Sequence, residues 1–271
     1  DVLKNSLYIW DESHFAQSKG NRPYNYFNKI NMNVNGVDKN DIKKELNIYV
    51  LSISATPFSE IINLNNNDNV NKKIVTLNPG DDYKGIQYFY DNNLIKKSFE
   101  FIDENEKKFI DILHNYKEKK YSIIRVKNNF MIEYIKYISE NLGFNTLSYN
   151  SLKSSDIKNI NKFISKIPSK PTIICITGML RLGKNINKNN ISFFYESSQN
   201  SKSDTVLQGL LGRACGYHNF KIVIYLPLSF ILNGLLYYIE SINNNFKSSV
   251  PNAMNVNSDE STSNNEIFFV N

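Results

Sequence analysis

The fold is decided by residues 121–143, which read YSIIRVKNNFMIEYIKYISENLG. The first part, Tyr121 to Val126, is a short apolar run of the kind found in parallel strands that are buried on both faces. The second part carries isoleucines at helical spacing from Ile132 to Ile138, and Gly143 follows as a helix stop. A buried strand that leads directly into an amphipathic helix predicts one repeat of an α/β fold.

The same alternation of strands and helices extends on both sides of this stretch. Further strands are predicted at Thr146–Tyr149, Thr172–Ile176, Ile191–Tyr195 and Lys221–Leu226. Further helices are predicted at Ser98–Lys119, Ser154–Ile167 with Ser154 or Ser155 as the N-cap, Thr205–Cys215 with Asp204 as the N-cap, and Ser229–Ile242. Strands that alternate with helices imply right-handed crossovers and therefore a parallel sheet.

Three apolar runs precede this region and predict strands of their own. They are Leu7–Trp10, Ile48–Ile53 and Lys73–Leu77, the last of which stops at Asn78-Pro79-Gly80. A short helix is predicted from about Asp41 to Leu46, between the first two runs. The chain is therefore expected to contain a second, smaller group of parallel strands.

Composition limits the classes of function. The chain has 271 residues, a formal net charge of +6 and a pI near 9.0, which suits a polyanionic partner. Cys175 and Cys215 lack metal-ligand spacing and indicate a reducing compartment without a disulfide framework. His114 and His218 show no partner pattern for zinc. No signal peptide is visible, and no apolar run approaches the roughly 18 residues of a membrane span.

Two adjacent carboxylates, Asp11 and Glu12, follow the strand at Leu7–Trp10. This arrangement suits nucleotide hydrolysis, because one acid can hold Mg²⁺ beside a triphosphate while the other orients and deprotonates the attacking water. A solvated strand end is the ordinary alternative for such a pair. The order of the later segments favours the hydrolytic interpretation.

Five segments together resemble the core of a superfamily 2 helicase or translocase of the DExH type, in the style of those from large DNA viruses, phages and mobile elements. They resemble motifs II, III, IV, V and VI of that family in the correct order. The segments are Asp11-Glu12-Ser13-His14, Ser54-Ala55-Thr56, Ser122–Lys127, Thr177–Asn185 and Gln208–Arg213.

The resemblance implies an α/β fold of RecA-like parallel sheets flanked by helices, with a partial first domain and a complete second domain. The first domain would contribute its carboxyl-terminal part, the ATP-binding side, and the two domains would enclose ATP in a cleft. The expected boundaries are 1–80 for the first domain, 81–97 for a linker, 98–246 for the second domain and 247–271 for a flexible tail, in which Ile267–Val270 could add a strand.

The resemblance also implies roles for individual residues. Asp11 would hold Mg²⁺ through water, Glu12 would be the general base, and Arg213 would be the arginine finger. His14 and Gln208 would complete the catalytic group, while Ser54, Ala55 and Thr56 would couple hydrolysis to domain movement. Nucleotide contacts are implied for Gly183, Asn185 and Gly212, and nucleic-acid contacts for Arg125, Thr177 and Arg181.

The sequence departs from the family pattern at three places. It contains no Gly-x-x-x-x-Gly-Lys-Ser/Thr loop. In the family this loop lies upstream of motif II, and only ten residues precede Asp11 here. Gly216 occupies the position of a second arginine, and Asn185 that of an acid. A longer protein would then supply the loop, and this chain alone is expected to be inactive.

The expected function is that of an ATP hydrolase coupled to movement on DNA or RNA, with ATP and Mg²⁺ as cofactors. The nucleic acid would be held mainly through its phosphate backbone, in an intracellular, reducing compartment of a host or in a virion, without a membrane partner. Two alternatives remain open: a catalytically inactive helicase-like module that binds nucleic acid or acts as a scaffold, and the motor subunit of an ATP-dependent restriction enzyme.

Overall fold

The computed structural model of the protein describes residues 4–11, 22–30, 32, 46–53, 73–150, 155–178, 185–201 and 203–244. The chain divides into two compact units. The smaller unit consists of residues 1–77 together with 240–271, and the larger unit consists of residues 78–239. The predicted fold class is confirmed, because parallel strands flanked by helices form the architecture.

The smaller unit contains a two-stranded parallel sheet. Its strands are β1 (Leu7–Asp11) and β2 (Tyr49–Ile53), as the apolar runs predict, and Asp11 lies opposite Ile53. Helix α1 (Arg22–Lys29) contributes Phe27, which stacks on Trp10 with ring centroids 5.5 Å apart. Side chains of both strands therefore pack on a small aromatic core against this helix.

The strand predicted at Lys73–Leu77 is wrong. Residues 73–80 have no regular structure, and the side chains of Val75 and Leu77 are 70% and 90% exposed. An apolar run becomes a strand only where a neighbouring strand accepts its backbone hydrogen bonds, and no such pairing forms here within the described chain. The helix predicted from about Asp41 to Leu46 lies outside the described residues except for Leu46. The predicted tail, 247–271, with its strand at Ile267–Val270, lies outside them as well.

The larger unit is built on a six-stranded sheet in which every neighbouring pair is parallel. Its strands are β4 (Ile95–Lys97), β5 (Tyr121–Arg125), β6 (Asn145–Asn150), β7 (Thr172–Thr177), β8 (Ile191–Glu196) and β10 (Val223–Leu226). The order across the sheet is β4-β10-β8-β5-β7-β6. A separate antiparallel pair consists of β3 (Tyr83–Lys84) and β9 (Gly216–Tyr217).

The central strands are buried because their sequences are apolar on both faces. Ile123 and Ile124 in β5, Ile174 in β7 and Phe194 in β8 have no accessible surface. Helices cover the sheet on both sides, as parallel sheets require. The strands predicted at 121–126, 146–149, 172–176, 191–195 and 221–226 are confirmed, with ends that shift by one or two residues.

The helices of the larger unit are α2 (Ile86–Asp91), α3 (Glu106–His114), α4 (Asn129–Asn141), α5 (Ile160–Ile164), α6 (Ser203–Val206) and α7 (Gly212–Ala214), and α8 (Leu236–Asn243) closes the described chain. Helix α4 follows its prediction closely. The Asn128 side chain caps its first turn by accepting a hydrogen bond from the Met131 N–H at 3.1 Å. Gly143, with φ of +84°, ends the segment as predicted.

Two predicted helices are shorter in the structure. Helix α3 spans nine residues after a single 3₁₀ turn at Asp103–Asn105, in place of the longer helix predicted from 98 to 119. Helix α5 is capped by Asn159, whose side chain accepts from the Lys162 N–H. Ser154 or Ser155 was predicted as the cap. Ser154 lies outside the described residues, and the hydroxyl of Ser155 accepts instead from the Asn150 N–H in β6. Local side-chain bonds that compete with the helix explain the difference.

A composite helix, residues 203–214, consists of α6, a π-helical segment at Leu207–Leu211 and α7. A second π-helical segment, Phe230–Leu235, leads into α8. The predicted linker, 81–97, contains β3, α2 and β4, and β4 pairs with β10 at the sheet edge. None of the described helices is long and apolar enough to cross a membrane.

Candidate functional site

The strand order of the larger unit places a switch in winding direction between β5 and β8, at the carboxyl ends of these strands. After β5 the chain winds to one side, through β6 and β7, and after β8 it winds to the other side, to β10. Ligands of open α/β sheets bind at such a switch in winding direction. Arg125, Thr177 and Glu196 are the last residues of β5, β7 and β8, so all three lie at this edge.

A buried ion pair joins two of these strand ends. The Nε atom of Arg125 lies 2.5 Å from Oε2 of Glu196, whose side chain is 1% exposed. Glu196 also accepts a hydrogen bond from the Ser198 N–H at 2.9 Å. Burial raises the pKa of the Glu196 carboxyl, and Arg125 opposes that rise. The pair therefore places one compensated negative charge at this edge of the sheet.

The same arginine fixes the start of the composite helix. Its two terminal nitrogens donate to the Thr205 carbonyl at 2.9 Å and to the Ser201 hydroxyl at 3.0 Å. A Cβ added at Gly209 would lie 2.9 Å from one of these nitrogens, so a larger residue would require the guanidinium or the helix to shift. Arg125 thereby links the end of β5 to the helix that carries Gln208 and Arg213.

The nucleic-acid contacts implied for Arg125, Thr177 and Arg181 remain predictions. The guanidinium of Arg125 is engaged with protein groups, and its side chain is 18% exposed. The hydroxyl of Thr177 is buried and has no hydrogen-bond partner among the described residues. Arg181 lies outside the described part of the chain, as does Gly183.

The composite helix carries three of the residues that the sequence singled out. Gln208 is half-buried in the π-helical segment, and its Nε2 atom has no hydrogen-bond partner in the described chain. Gly212 and Arg213, both half-buried, follow in the next turn, α7. A buried amide donor without an acceptor is costly in a folded protein, so it indicates a position that a polar ligand could satisfy.

A buried lysine lies beside this helix. Lys188 is 8% exposed, and its Nζ atom donates to Asn185 Oδ1 at 3.0 Å and to the Ile186 carbonyl at 3.2 Å. Burial lowers the pKa of this ammonium; the Cys215 thiol opposes the shift, and the Arg213 guanidinium adds to it. Asn185, the residue implied in nucleotide contact, is thus held by a cation that lies within the electrostatic reach of Arg213.

Residues 214–218 complete the surroundings of Lys188. Gly216 has φ of +141°, and a Cβ added there would lie 3.4 Å from the Lys188 Nζ atom. Nε2 of His218 donates to the Ala214 carbonyl at 2.9 Å, which leaves Nδ1 buried without a hydrogen-bond partner. Burial lowers the pKa of His218, and the charges of Lys84 and Lys188 lower it further. Burial raises the pKa of the Cys215 thiol to about 12.

In the smaller unit, two of the predicted segments follow neighbouring strands of one sheet. Asp11 ends β1 and is exposed, and its register partner Ile53 ends β2, directly before Ser54. The acidic segment that begins at Asp11 and the segment that follows Ile53 therefore leave the same edge of one parallel sheet. Other residues implied here, namely Glu12, His14, Ser54, Ala55 and Thr56, lie outside the described residues.

The described residues offer limited support for a metal ion. They contain no group of three or more histidine, cysteine, aspartate or glutamate side chains arranged to hold one. Asp11 alone supplies a carboxylate at the predicted magnesium position. A single carboxylate fits Mg²⁺, because that ion keeps several waters and takes much of its coordination from substrate phosphates.

Two residues of the site were missed by sequence reasoning. Glu196 follows an apolar run and has the pattern of an ordinary strand end, so only its pairing with Arg125 reveals its role. Lys188 lies in the asparagine-rich run 185–190, where a lysine normally indicates an exposed loop. Its burial next to the composite helix depends on tertiary contacts.

Comparison with known proteins gives one sequence relative and no family. No protein-family model matches the chain. An uncharacterized protein, L594, of Acanthamoeba polyphaga mimivirus is 28% identical over 233 residues, which is 81% of this chain and 55% of the mimivirus protein. The chain therefore spans about half the length of the relative that it matches.

Proposed function

We propose that this chain is part of an ATP-dependent nucleic-acid motor, a helicase or translocase that couples ATP hydrolysis to movement on DNA or RNA. The observation that carries the proposal is the common position of three segments in the larger unit. The segment Ser122–Lys127 runs along β5 and past its carboxyl end, Thr177 is the last residue of β7, and Gln208 lies on the composite helix that follows β8. These three strands are neighbours in the sheet. A motor of this class needs its nucleotide and nucleic-acid contacts at that edge.

The smaller unit adds a second, independent observation. Asp11 and the position before Ser54 are opposite each other at the ends of two parallel strands. The proposal assigns Asp11 to Mg²⁺ binding through water and Glu12 to deprotonation of the attacking water. Ser54, Ala55 and Thr56, which follow β2 in the sequence, would couple hydrolysis to movement.

In the larger unit, the proposal assigns phosphate recognition to the composite helix. Arg213 would stabilise the negative charge that develops on the transferred phosphoryl group, and Gln208 would offer its unsatisfied amide to the nucleotide. Gly183, Asn185 and Gly212 would line the nucleotide side of the site. Bound Mg²⁺ would neutralise charge on the phosphates.

Nucleic acid would be held mainly by its phosphates. Such binding needs basic side chains and gives little specificity for particular bases. Arg125, Thr177 and Arg181 are the proposed contacts, and the net charge of +6 fits such a partner. Arg125 would also have a second role, because its ion pair with Glu196 helps to position the composite helix.

The proposal is tested with the full-length polypeptide that contains this sequence. ATP hydrolysis is measured with and without single-stranded DNA or RNA. We expect Glu12→Gln to retain ATP binding and to lower the hydrolysis rate by about 10²–10⁴-fold, the usual contribution of a general base. Glu140→Gln, which changes an exposed acid on α4, is the matched control.

Normal hydrolysis by the Glu12→Gln variant would remove the role given to Glu12. A wild-type polypeptide that hydrolyses no ATP with either nucleic acid would contradict the motor itself.

A non-catalytic helicase-like module is the second candidate, and the absence of a phosphate-binding loop from these 271 residues favours it. A Gly-Lys-Thr/Ser loop encoded upstream of Asp1 would favour the motor, and a nuclease domain elsewhere in the polypeptide would indicate a restriction enzyme.

A further inference from the structure

The smaller unit contains a pocket between helix α1 and strand β1, and its walls are mainly aromatic. The volume is about 370 Å³. Ligand sites usually measure about 300–1,000 Å³, so this pocket can hold a small ligand group. The described residues that line it are Tyr8, Ile9, Trp10, Arg22, Tyr26 and Phe27. The lining therefore combines flat rings with one guanidinium.

The rings of the pocket are held in place by contacts with one another. Phe27 is buried in the small core, and Trp10 stacks on it with ring centroids 5.5 Å apart. The Tyr8 ring lies 6.0 Å from that of Phe27 and 6.3 Å from that of Tyr26. Tyr26 is 49% exposed, so one end of the ring cluster faces solvent. Packing thus fixes an aromatic surface that a ligand can reach from solvent.

Helix α1 places positive charge on both sides of the exposed ring. Arg22, Tyr26 and Lys29 have the spacing i, i+4 and i+7, so they share one face of the helix, and all three are exposed. The helix contains no aspartate or glutamate. Neither cation forms an ion pair within the described chain. The two cations start about 10 Å apart along the helix axis, with the tyrosine between them.

These features discriminate between classes of ligand. Aromatic faces attract organic cations, but Arg22 in the lining would repel such a ligand. An aliphatic group would gain nothing from Arg22 or Lys29. An unpaired nucleobase stacks on aromatic rings while its phosphates meet cations, and this combination holds single strands in many proteins. The paired bases of a duplex are already stacked on one another and cannot enter.

A nucleic-acid strand fits the pocket better than a free nucleoside triphosphate does. Trp10 and Asp11 are neighbours in β1, so their side chains leave opposite faces of the strand. The pocket therefore lies on the face that α1 covers, whereas the proposed magnesium ligand lies on the other face. A triphosphate concentrates its charge at one point, but a strand carries one phosphate per nucleotide, which suits one cation on each side of a ring.

We propose that this pocket and the exposed face of α1 bind one unpaired base of a single-stranded nucleic acid, with Arg22 and Lys29 at the adjacent phosphates. The inference rests on the proposed function, since it adds a base-stacking contact to a motor whose other contacts hold phosphates. Tyr26 supplies the exposed ring, and Tyr8 and Trp10 supply the walls. Every base has a flat face, so the contact needs no particular sequence.

The test measures binding of a fluorescein-labelled oligothymidylate to the full-length polypeptide that contains this sequence, by fluorescence anisotropy without ATP. We expect Tyr26→Ala to weaken binding about tenfold, as removal of one stacking ring does. Tyr26→Phe keeps the ring and should bind as the wild type does. Tyr137→Ala is the matched control, because it removes a tyrosine of α4 that is 69% exposed.

The salt dependence of binding separates the phosphate contact from the stacking contact. Arg22→Gln should weaken binding and should lower the slope of log affinity against log salt concentration by about 0.7, the value for one phosphate of a single strand. Tyr26→Ala removes no charge and should keep the slope. Lys136→Gln, which changes an exposed lysine on α4, is the control for loss of charge. An arginine with a purely structural role would not change the slope.

Trp10 gives a second readout, because it is the only tryptophan of the 271 residues. A base in the pocket should quench the Trp10 emission of this chain, and Tyr26→Ala should reduce the quenching at the same oligonucleotide concentration. Circular dichroism confirms that each variant is folded. Unchanged Trp10 emission in a folded chain that binds the oligonucleotide would overturn the inference.

The remaining outcomes separate this inference from the proposed function. Wild-type affinity in a folded Tyr26→Ala variant would overturn the inference, as would an equal loss of affinity for the single strand and for a DNA duplex. Weaker binding of a fluorescent ATP analogue by Tyr26→Ala, with unchanged affinity for the oligonucleotide, would assign the pocket to a free nucleotide and overturn it too. The motor proposal is decided separately, by ATP hydrolysis in the full-length polypeptide.

Discussion

The pKa of His218 depends on the charged groups around its ring. Its ring is partly buried beside Phe89 and Phe220, and its Nε2–H is committed to the Ala214 carbonyl. Protonation of Nδ1 would place a third positive charge near Lys84 and Lys188, and the backbone hydrogen bonds of the ring with Ala214 and Phe220 offset this unfavourable effect only in part. The folded protein therefore disfavours the imidazolium form at this position.

This environment predicts a loss of stability in mild acid. The pKa of His218 in the folded state is lowered from about 6.5, so the unfolded chain binds a proton first as the pH falls. The free energy of unfolding should therefore decrease as the pH falls through about 6.5, and His218→Gln should reduce that decrease. Urea unfolding at pH 7 and at pH 5.5 measures the effect.

His114→Gln, at an exposed position on α3, shows whether loss of any histidine acts in the same way. An unchanged pH dependence in His218→Gln would mean that burial and the two lysines do not control this ring.

At the scale of elements, the site depends on how strand ends hold the composite helix. The Arg125 side chain connects β5, β8 and residues 201–205, and Gly209 lets the helix approach it. Glu196 is nearly inaccessible, so its charge is tolerated only while Arg125 compensates it. The pair therefore determines where Gln208 and Arg213 are presented.

Removal of one partner should be strongly destabilising. Arg125→Met leaves the Glu196 carboxylate buried without its cation, and we expect the free energy of unfolding to fall by about 3–5 kcal/mol at pH 7. The pKa of Glu196 is already raised by burial and should rise further in the variant. Its protonation then removes the penalty, so the loss should be smaller at pH 4 than at pH 7.

Chemical unfolding at both pH values measures this loss. The double variant Arg125→Met/Glu196→Gln is the control, and it should recover much of the stability because no uncompensated charge remains. Equal losses at pH 4 and pH 7 would contradict an electrostatic origin.

At the scale of the whole molecule, the two units differ in the size of their described cores. The larger unit buries a continuous cluster that includes Phe109, Ile124, Ile135 and Tyr195. In the smaller unit, the described core is Phe27 and Met32 under a sheet of two strands. An isolated two-stranded sheet is marginally stable in water.

We therefore expect a fragment of residues 78–244, which contains the larger unit and completes α8, to fold alone. It should unfold in one cooperative transition with a free energy of about 5–15 kcal/mol, as ordinary single domains do. A fragment of residues 1–77 is the comparison and should show no cooperative transition. Thermal and urea unfolding followed by circular dichroism measures both. A non-cooperative larger fragment would show that it depends on the rest of the chain.

Apolar patterns in the chain were sufficient to predict the fold class and most strands. Runs such as Ile191–Tyr195 are apolar on both faces, and a parallel sheet is the structure that buries such runs. Helix lengths were less well predicted, because Asn159 and Ser155 form local hydrogen bonds that amphipathic spacing does not reveal. Strand β4 was missed because it is three residues long and gains its structure from pairing with β10.

The candidate site divides in the same way. The order of the segments that resemble helicase motifs was enough to select Asp11, Gln208 and Arg213 as candidates. The pairing of Arg125 with Glu196 and the burial of Lys188 against Gly216 became visible only in the folded chain. Both depend on contacts between residues far apart in the chain, and the charge of a side chain gives no information about which distant group will compensate it.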